Sequence, residues 1–77
     1  MNSMELRESF YDLSKEEFIK RFELCKICPG RILAYFKVYD IEDIEYLMDT
    51  EYRESKERLL DDLDMNLKQD LVNLLSY

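Results

Sequence analysis

A chain of 77 residues has room for one domain and a thin core. Its hydrophobic content of 47% and its ten aromatics place it among folding sequences despite 38% charged residues. One Gly and one Pro leave little material for hairpins, and no apolar run approaches the roughly 18–20 residues of a membrane-spanning helix. The net charge of −7 is unevenly placed: residues 1–38 carry six acids and seven bases, whereas residues 39–77 carry twelve acids and four bases. Such a surface repels nucleic-acid phosphates and anionic lipid and steers encounter with a basic partner. The opening MNSMELRESF has no basic stretch followed by an apolar one, so no secretory signal is expected. A reducing, cytoplasmic setting is the default for the two closely spaced cysteines.

In chain order, Ser3 is read as the N-cap of a short helix reaching Tyr11, with Leu6 and Phe10 at helical spacing. Ser14-Lys15-Glu16-Glu17 has the form of a capping box, with Leu13 and Phe18 as a hydrophobic staple. The following helix lines up Phe18, Phe22 and Cys25, and orders Glu16–Lys20 and Glu17–Arg21 as i,i+4 pairs. Pro29-Gly30 ends or turns it. Over Arg31–Tyr39 the period is ambiguous. A helix with Pro29 in its first turn after a Cys28 cap would bury Ile32, Leu33 and Phe36, while a strand would need a partner from another chain. Helix is therefore expected.

Asp40 is read as the next N-cap, with a Tyr39–Ile44 staple, Glu42 and Asp43 in the first turn, and Ile41, Ile44, Leu47 and Met48 inward. Thr50 is the expected cap of a further helix burying Tyr52, Leu59, Leu60 and Leu63, with Glu54 and Arg58 paired outside. The run Asp61, Asp62, Asp64 suits caps and turns, so a break is expected near Asp64, followed by a last helix with Asn66 and Gln69 as its capping box and Leu67, Leu71, Leu74 and Leu75 inward.

Few residues suggest chemistry. Cys25-Lys26-Ile27-Cys28 has the spacing of half a zinc knuckle or a redox pair, but four tetrahedral ligands would need another pair, and a thioredoxin-like role would need a βαβ context. Asp62, Asp64, Asn66 and Asp70 match four positions of a calcium loop, yet Leu67 stands where that loop needs Gly and Asn73 where it needs Glu. With no His, no phosphate-binding Gly-rich loop and no nucleophile elbow, no catalytic residues, metal or cofactor are expected, and the chain reads as a non-enzyme. A helix-turn-helix pivoting at Pro29-Gly30 would offer few bases on its second helix beside a strongly acidic neighbour.

The acidic half carries the leading expectation. Glu42, Asp43, Glu45, Asp49, Glu54, Asp61 and Asp62 are read as a partner-binding face, with Tyr46 and Tyr52 as anchors. Rows of helical carboxylates imitate duplex phosphates or fill a basic groove on a protein. The opening MELRESFYDLSKEEF (residues 4–18) also resembles the start of the colicin-type immunity proteins, which are small acidic helical inhibitors. The resemblance implies that class of inhibitor only, because the tyrosine-bearing motif through which those proteins engage their nuclease is absent. No residue roles are carried over.

The sequence therefore predicts an all-α protein: a compact bundle of four to five short helices with a single small core of Phe18, Phe22, Ile32, Leu33, Phe36, Ile44, Leu47, Leu59, Leu60, Leu63, Leu67 and Leu71. Its expected role is to block a basic, nucleic-acid-binding surface of a partner protein, without touching nucleic acid or membrane itself, as phage and mobile-element inhibitors of the anti-CRISPR, anti-restriction or DNA-mimic kind do. Two other expectations stand beside it: an accessory protein that self-associates, as a homodimer for example, through the 31–39 segment or the C-terminal leucine helix, and a small DNA-binding regulator.

Overall fold

The computed structural model describes residues 2–25 and 30–76. Within them the chain is all-α: helices α1 (Ser3–Tyr11), α2 (Lys15–Leu24), α3 (Gly30–Tyr35), α4 (Asp49–Asp61) and α5 (Met65–Leu75), with a 3₁₀ segment at Ile41–Tyr46 between α3 and α4. Helix α1 packs on α4 and α5, α3 packs on the same two helices, and α2 lies against the 3₁₀ segment and α5.

Phe18 is the hub of the core. Its ring lies 5.2 Å from Phe36, 5.8 Å from Phe22, 6.0 Å from Tyr52 and 6.2 Å from Phe10, between centroids. Tilted and edge-on arrangements of this kind suit the ring quadrupoles and add to the burial of large apolar area. Leu6 and Phe10 are fully buried, so α1 is part of the core rather than a frayed end. Ile32, Leu33, Phe36, Ile44, Leu59, Leu60, Leu67 and Leu71 are buried as the sequence predicts, and Leu47 and Leu63 pack at its margin.

Helix starts follow the predicted chemistry, with shifts of one or two residues. Asn2, not Ser3, caps α1, its side chain accepting from the Glu5 amide at 2.8 Å. Ser14 accepts from the Glu17 amide at 3.2 Å, while the Glu17 carboxylate turns to Arg21 at 3.2 Å. The cap of α4 is Met48 rather than Thr50 and makes no side-chain hydrogen bond; Asp49 and Glu51 supply negative charge to the first turn instead. Asp64, not Asn66, caps α5, accepting from the Leu67 amide at 2.8 Å, and Gln69 donates to Asn73. Helix α3 covers only part of the 31–39 segment: Lys37 adopts a left-handed conformation (φ 57°) after two tight i→i+3 turns, which stops the helix. The Cys28–Pro29 cap lies outside the described residues.

Helix ends are handled differently. Neither α1, α3, the 3₁₀ segment nor α5 has a basic residue in its own last turn, and the chain's one glycine begins a helix rather than ending one. Cations from other elements reach the terminal carbonyls instead. The Lys56 ammonium donates to the Tyr11 and Leu13 carbonyls at the end of α1. Lys15 donates to the Leu47 carbonyl (2.8 Å) after the 3₁₀ segment, and Arg21 donates to the Leu75 carbonyl (2.9 Å) at the end of α5. Arg58 makes a long contact, 3.5 Å, with the Tyr35 carbonyl at the end of α3 and a shorter one with Ser55. Each cation meets orphan carbonyls at the negative end of a helix dipole.

Candidate functional site

From Tyr39 to Tyr52 the chain carries six acids and no base. The sequence of the 3₁₀ segment, Ile-Glu-Asp-Ile-Glu-Tyr, repeats every three residues, which matches three residues per turn. Ile41 and Ile44 therefore share the column that faces the core, Glu42 and Glu45 share a second, and Asp43 and Tyr46 a third. Asp40 and Asp43 close a reciprocal capping box at its start. The expected α-helix from Asp40 is corrected to this tighter form. The expected Tyr39–Ile44 staple does not form: Tyr39 is 99% exposed while Ile44 is fully buried. Met48, expected inward, is 66% exposed, and Tyr46 is 85% exposed.

Helix α4 continues the acidic surface. Tyr52, Ser55, Lys56, Leu59 and Leu60 are its buried residues. At 3.6 residues per turn, Glu54, Glu57 and Asp61 fall within an arc of about 60° on the other side. All three are exposed, with Arg53 and Arg58 on the two flanks of the row.

The residues expected to bind a partner thus divide. Glu42, Glu45, Tyr46, Glu54 and Asp61 are exposed. Asp43 is partly buried in its capping role, Asp49 pairs with Lys15 at 3.3 Å, and Asp62 accepts from the Tyr35 hydroxyl at 3.2 Å. Tyr52 is corrected from anchor to core. It is 4% exposed, its ring stacks on Phe36 at 5.6 Å, and its hydroxyl is shared between the Leu13 and Ser14 carbonyls at 3.1 and 3.3 Å. A tyrosine on the buried stripe of α4 keeps its ring dry and spends its hydroxyl on the α1–α2 turn.

Sequence reasoning did not single out Lys56, which is 5% exposed and lies on the same stripe, four residues after Tyr52. Its ammonium sits 4.6 Å from the Tyr52 ring centroid and 5.5 Å from that of Tyr11, so carbonyls and aromatic faces replace its water. Burial lowers its pKa, Asp12 offsets part of that shift, and Arg53 adds to it. Burial, and then the nearby Glu16 carboxylate, push the Tyr52 phenol well above its ordinary value. The open cleft beside them, about 490 Å³, is bordered by Asp12, Glu16 and Asp49 as well as Lys15, Arg53 and Lys56. The Lys56 ammonium there is already committed to backbone carbonyls. The signal for it was legible: a lysine on the Tyr52, Leu59, Leu63 stripe must either snorkel out or find buried acceptors.

Cys25 is buried on the Phe18/Phe22 face, and its C-x-x-C partner Cys28 lies outside the described residues. Among the described residues no group of three or more His, Cys, Asp or Glu side chains is arranged to hold a metal ion. The calcium-like residues have other uses: Asp64 caps α5, Asp62 meets Tyr35, and Asp70 pairs with Arg31 at 3.0 Å.

The bases of the acidic half are similarly occupied, since Lys56 and Arg58 turn to backbone carbonyls and Lys68 donates to Ser3 at 3.1 Å. What the 39–61 surface presents outward is therefore mainly carboxylate, relieved by Arg53 and Arg58, with Tyr39, Tyr46 and Met48 beside it. No protein-family model, curated protein or solved structure matches the chain.

Proposed function

We propose that the protein is a non-catalytic binder whose 3₁₀ segment and outer α4 face dock on a basic, nucleic-acid-binding surface of a partner protein and block it. The observation that carries this reading is the base-free run Tyr39–Tyr52, with its exposed Tyr39, Tyr46 and Met48 set among exposed carboxylates such as Glu42 and Glu45. Exposed tyrosine and methionine are anchor residues at interfaces, and the surrounding charge supplies orientation and association rate. Inhibitors of the anti-CRISPR, anti-restriction or DNA-mimic kind work through such faces.

Two rival readings have less support. Self-association through the 31–39 segment or the C-terminal leucines would need apolar residues that already fill this chain's own core: Ile32, Leu33, Phe36, Leu67, Leu71 and Leu74. A DNA-reading role would rest on α3, six residues long, whose Arg31 already pairs with Asp70.

The test is affinity capture from host-cell lysate with wild type beside a Glu42→Lys/Glu45→Lys/Glu54→Lys variant. These positions avoid the capping Asp43 and the Lys15-paired Asp49, so the fold is kept. Wild type should recover a basic nucleic-acid-handling protein and the variant should not. Equal recovery of one partner by both would overturn the reading.

A further inference from the structure

A shallow groove on the acidic surface joins two elements. Between α2 and the 3₁₀ segment, Lys15, Glu16, Ile19 and Glu45 enclose an open space of about 300 Å³ whose lining is mostly apolar. Ile19 is partly buried against the core and contributes the hydrophobic part of that lining. Glu16 and Glu45 come from different elements, held in register by the packing of α2 on the 3₁₀ segment. Both are exposed, and among the described residues neither takes an ion-pair partner. The one cation present, Lys15, is engaged by the Leu47 carbonyl and the Asp49 carboxylate.

We propose that this groove receives an arginine side chain of the basic partner; the inference rests on the docking reading above. Charge complementarity selects a cation, and the apolar lining selects one with a methylene stem to lay on Ile19. The planar, five-donor guanidinium can bridge carboxylates on two separate elements, whereas an ammonium acts as a point charge.

The test is an NMR titration of the isotope-labelled protein at low salt with acetylated tetra-arginine and tetra-lysine peptides. Tetra-arginine should move the Ile19 methyl and the Glu16 and Glu45 amides saturably and bind more tightly than tetra-lysine. Glu16→Gln and Glu45→Gln should each weaken it about two- to fivefold, the range for exposed ion pairs, with unchanged thermal midpoints, and Glu8→Gln, exposed on α1 away from the docking face, should leave it unaltered. Shifts confined to α4, or affinity indifferent to Glu16→Gln and Glu45→Gln, would overturn the groove while leaving the docking face standing. Equal affinity for tetra-lysine would overturn the arginine assignment. No shift anywhere in residues 39–61 would count against the groove and the docking face together.

Discussion

Lys56 and Tyr52, one turn apart on α4, hold the α1–α2 turn by its carbonyls, and the energetics of both follow from what surrounds them. Replacing Lys56 by Met keeps the length of the side chain but removes the ammonium donor from the Tyr11 carbonyl and leaves the Leu13 carbonyl to the Tyr52 hydroxyl alone. A stability loss of about 1–3 kcal/mol is expected, read as a lowered urea midpoint. Tyr52 has its pKa raised by burial, so the folded state holds its phenolic proton at pH values where the unfolded chain releases it. Its contribution is complete below the ordinary phenol pKa of about 10 and is lost as pH climbs above that. Lys56, with its pKa lowered, acts in the opposite sense: between the lowered value and about 10.5 the unfolded chain binds more protons, so stability rises with pH there. Tyr52→Phe should therefore cost about 0.5–1.5 kcal/mol at neutral pH and flatten the loss above pH 10, measured by urea unfolding across pH. Tyr52 was legible as an inward residue from its helical stripe. Its role as an interface anchor was misjudged because type and charge environment say nothing about which side of a helix faces out.

At the level of elements, starts were easier to read than ends. N-caps depend on local Asx and Ser chemistry, so Ser14 and Asp40 were identified directly, and Asp64 was missed by two residues only because Asn66 offers similar chemistry. Ends depend on Lys15, Arg21, Lys56 and Arg58 arriving from elsewhere in the chain, up to 54 residues away for Arg21 and Leu75, and no local pattern encodes that. The 3₁₀ segment carried its own signature, since isoleucine, glutamate and a third residue repeat with period three, but an acidic start after an Asp cap also suits an α-helix. Lys37 ends α3 in a left-handed conformation that side chains with a Cβ disfavour. Lys37→Gly should therefore raise stability by about 1 kcal/mol, seen as a higher urea midpoint with unchanged slope.

Over the whole molecule, fold class and most of the core were legible because leucine, isoleucine and phenylalanine recur at helical spacing around a hub, Phe18, which is buried together with Leu13, its expected staple partner. The charge distribution was legible as a count but not as a surface. The structure turns Lys15, Arg21, Lys56 and Arg58 toward helix ends and leaves Glu42, Glu45, Glu54, Glu57 and Asp61 facing outward. The acidity of the second half is thus carried on its outside, and this is the physical basis for expecting a basic partner.

The most direct measurement is the dissociation constant for the partner recovered by wild type, determined from low to high salt with and without competing duplex DNA. At physiological ionic strength the screening length is about 8 Å, so an interface set by exposed carboxylates weakens steeply as salt rises. The account predicts that steep loss, together with displacement of the protein by the nucleic acid whose site it occupies. Affinity that holds or tightens with salt and ignores nucleic acid would contradict it.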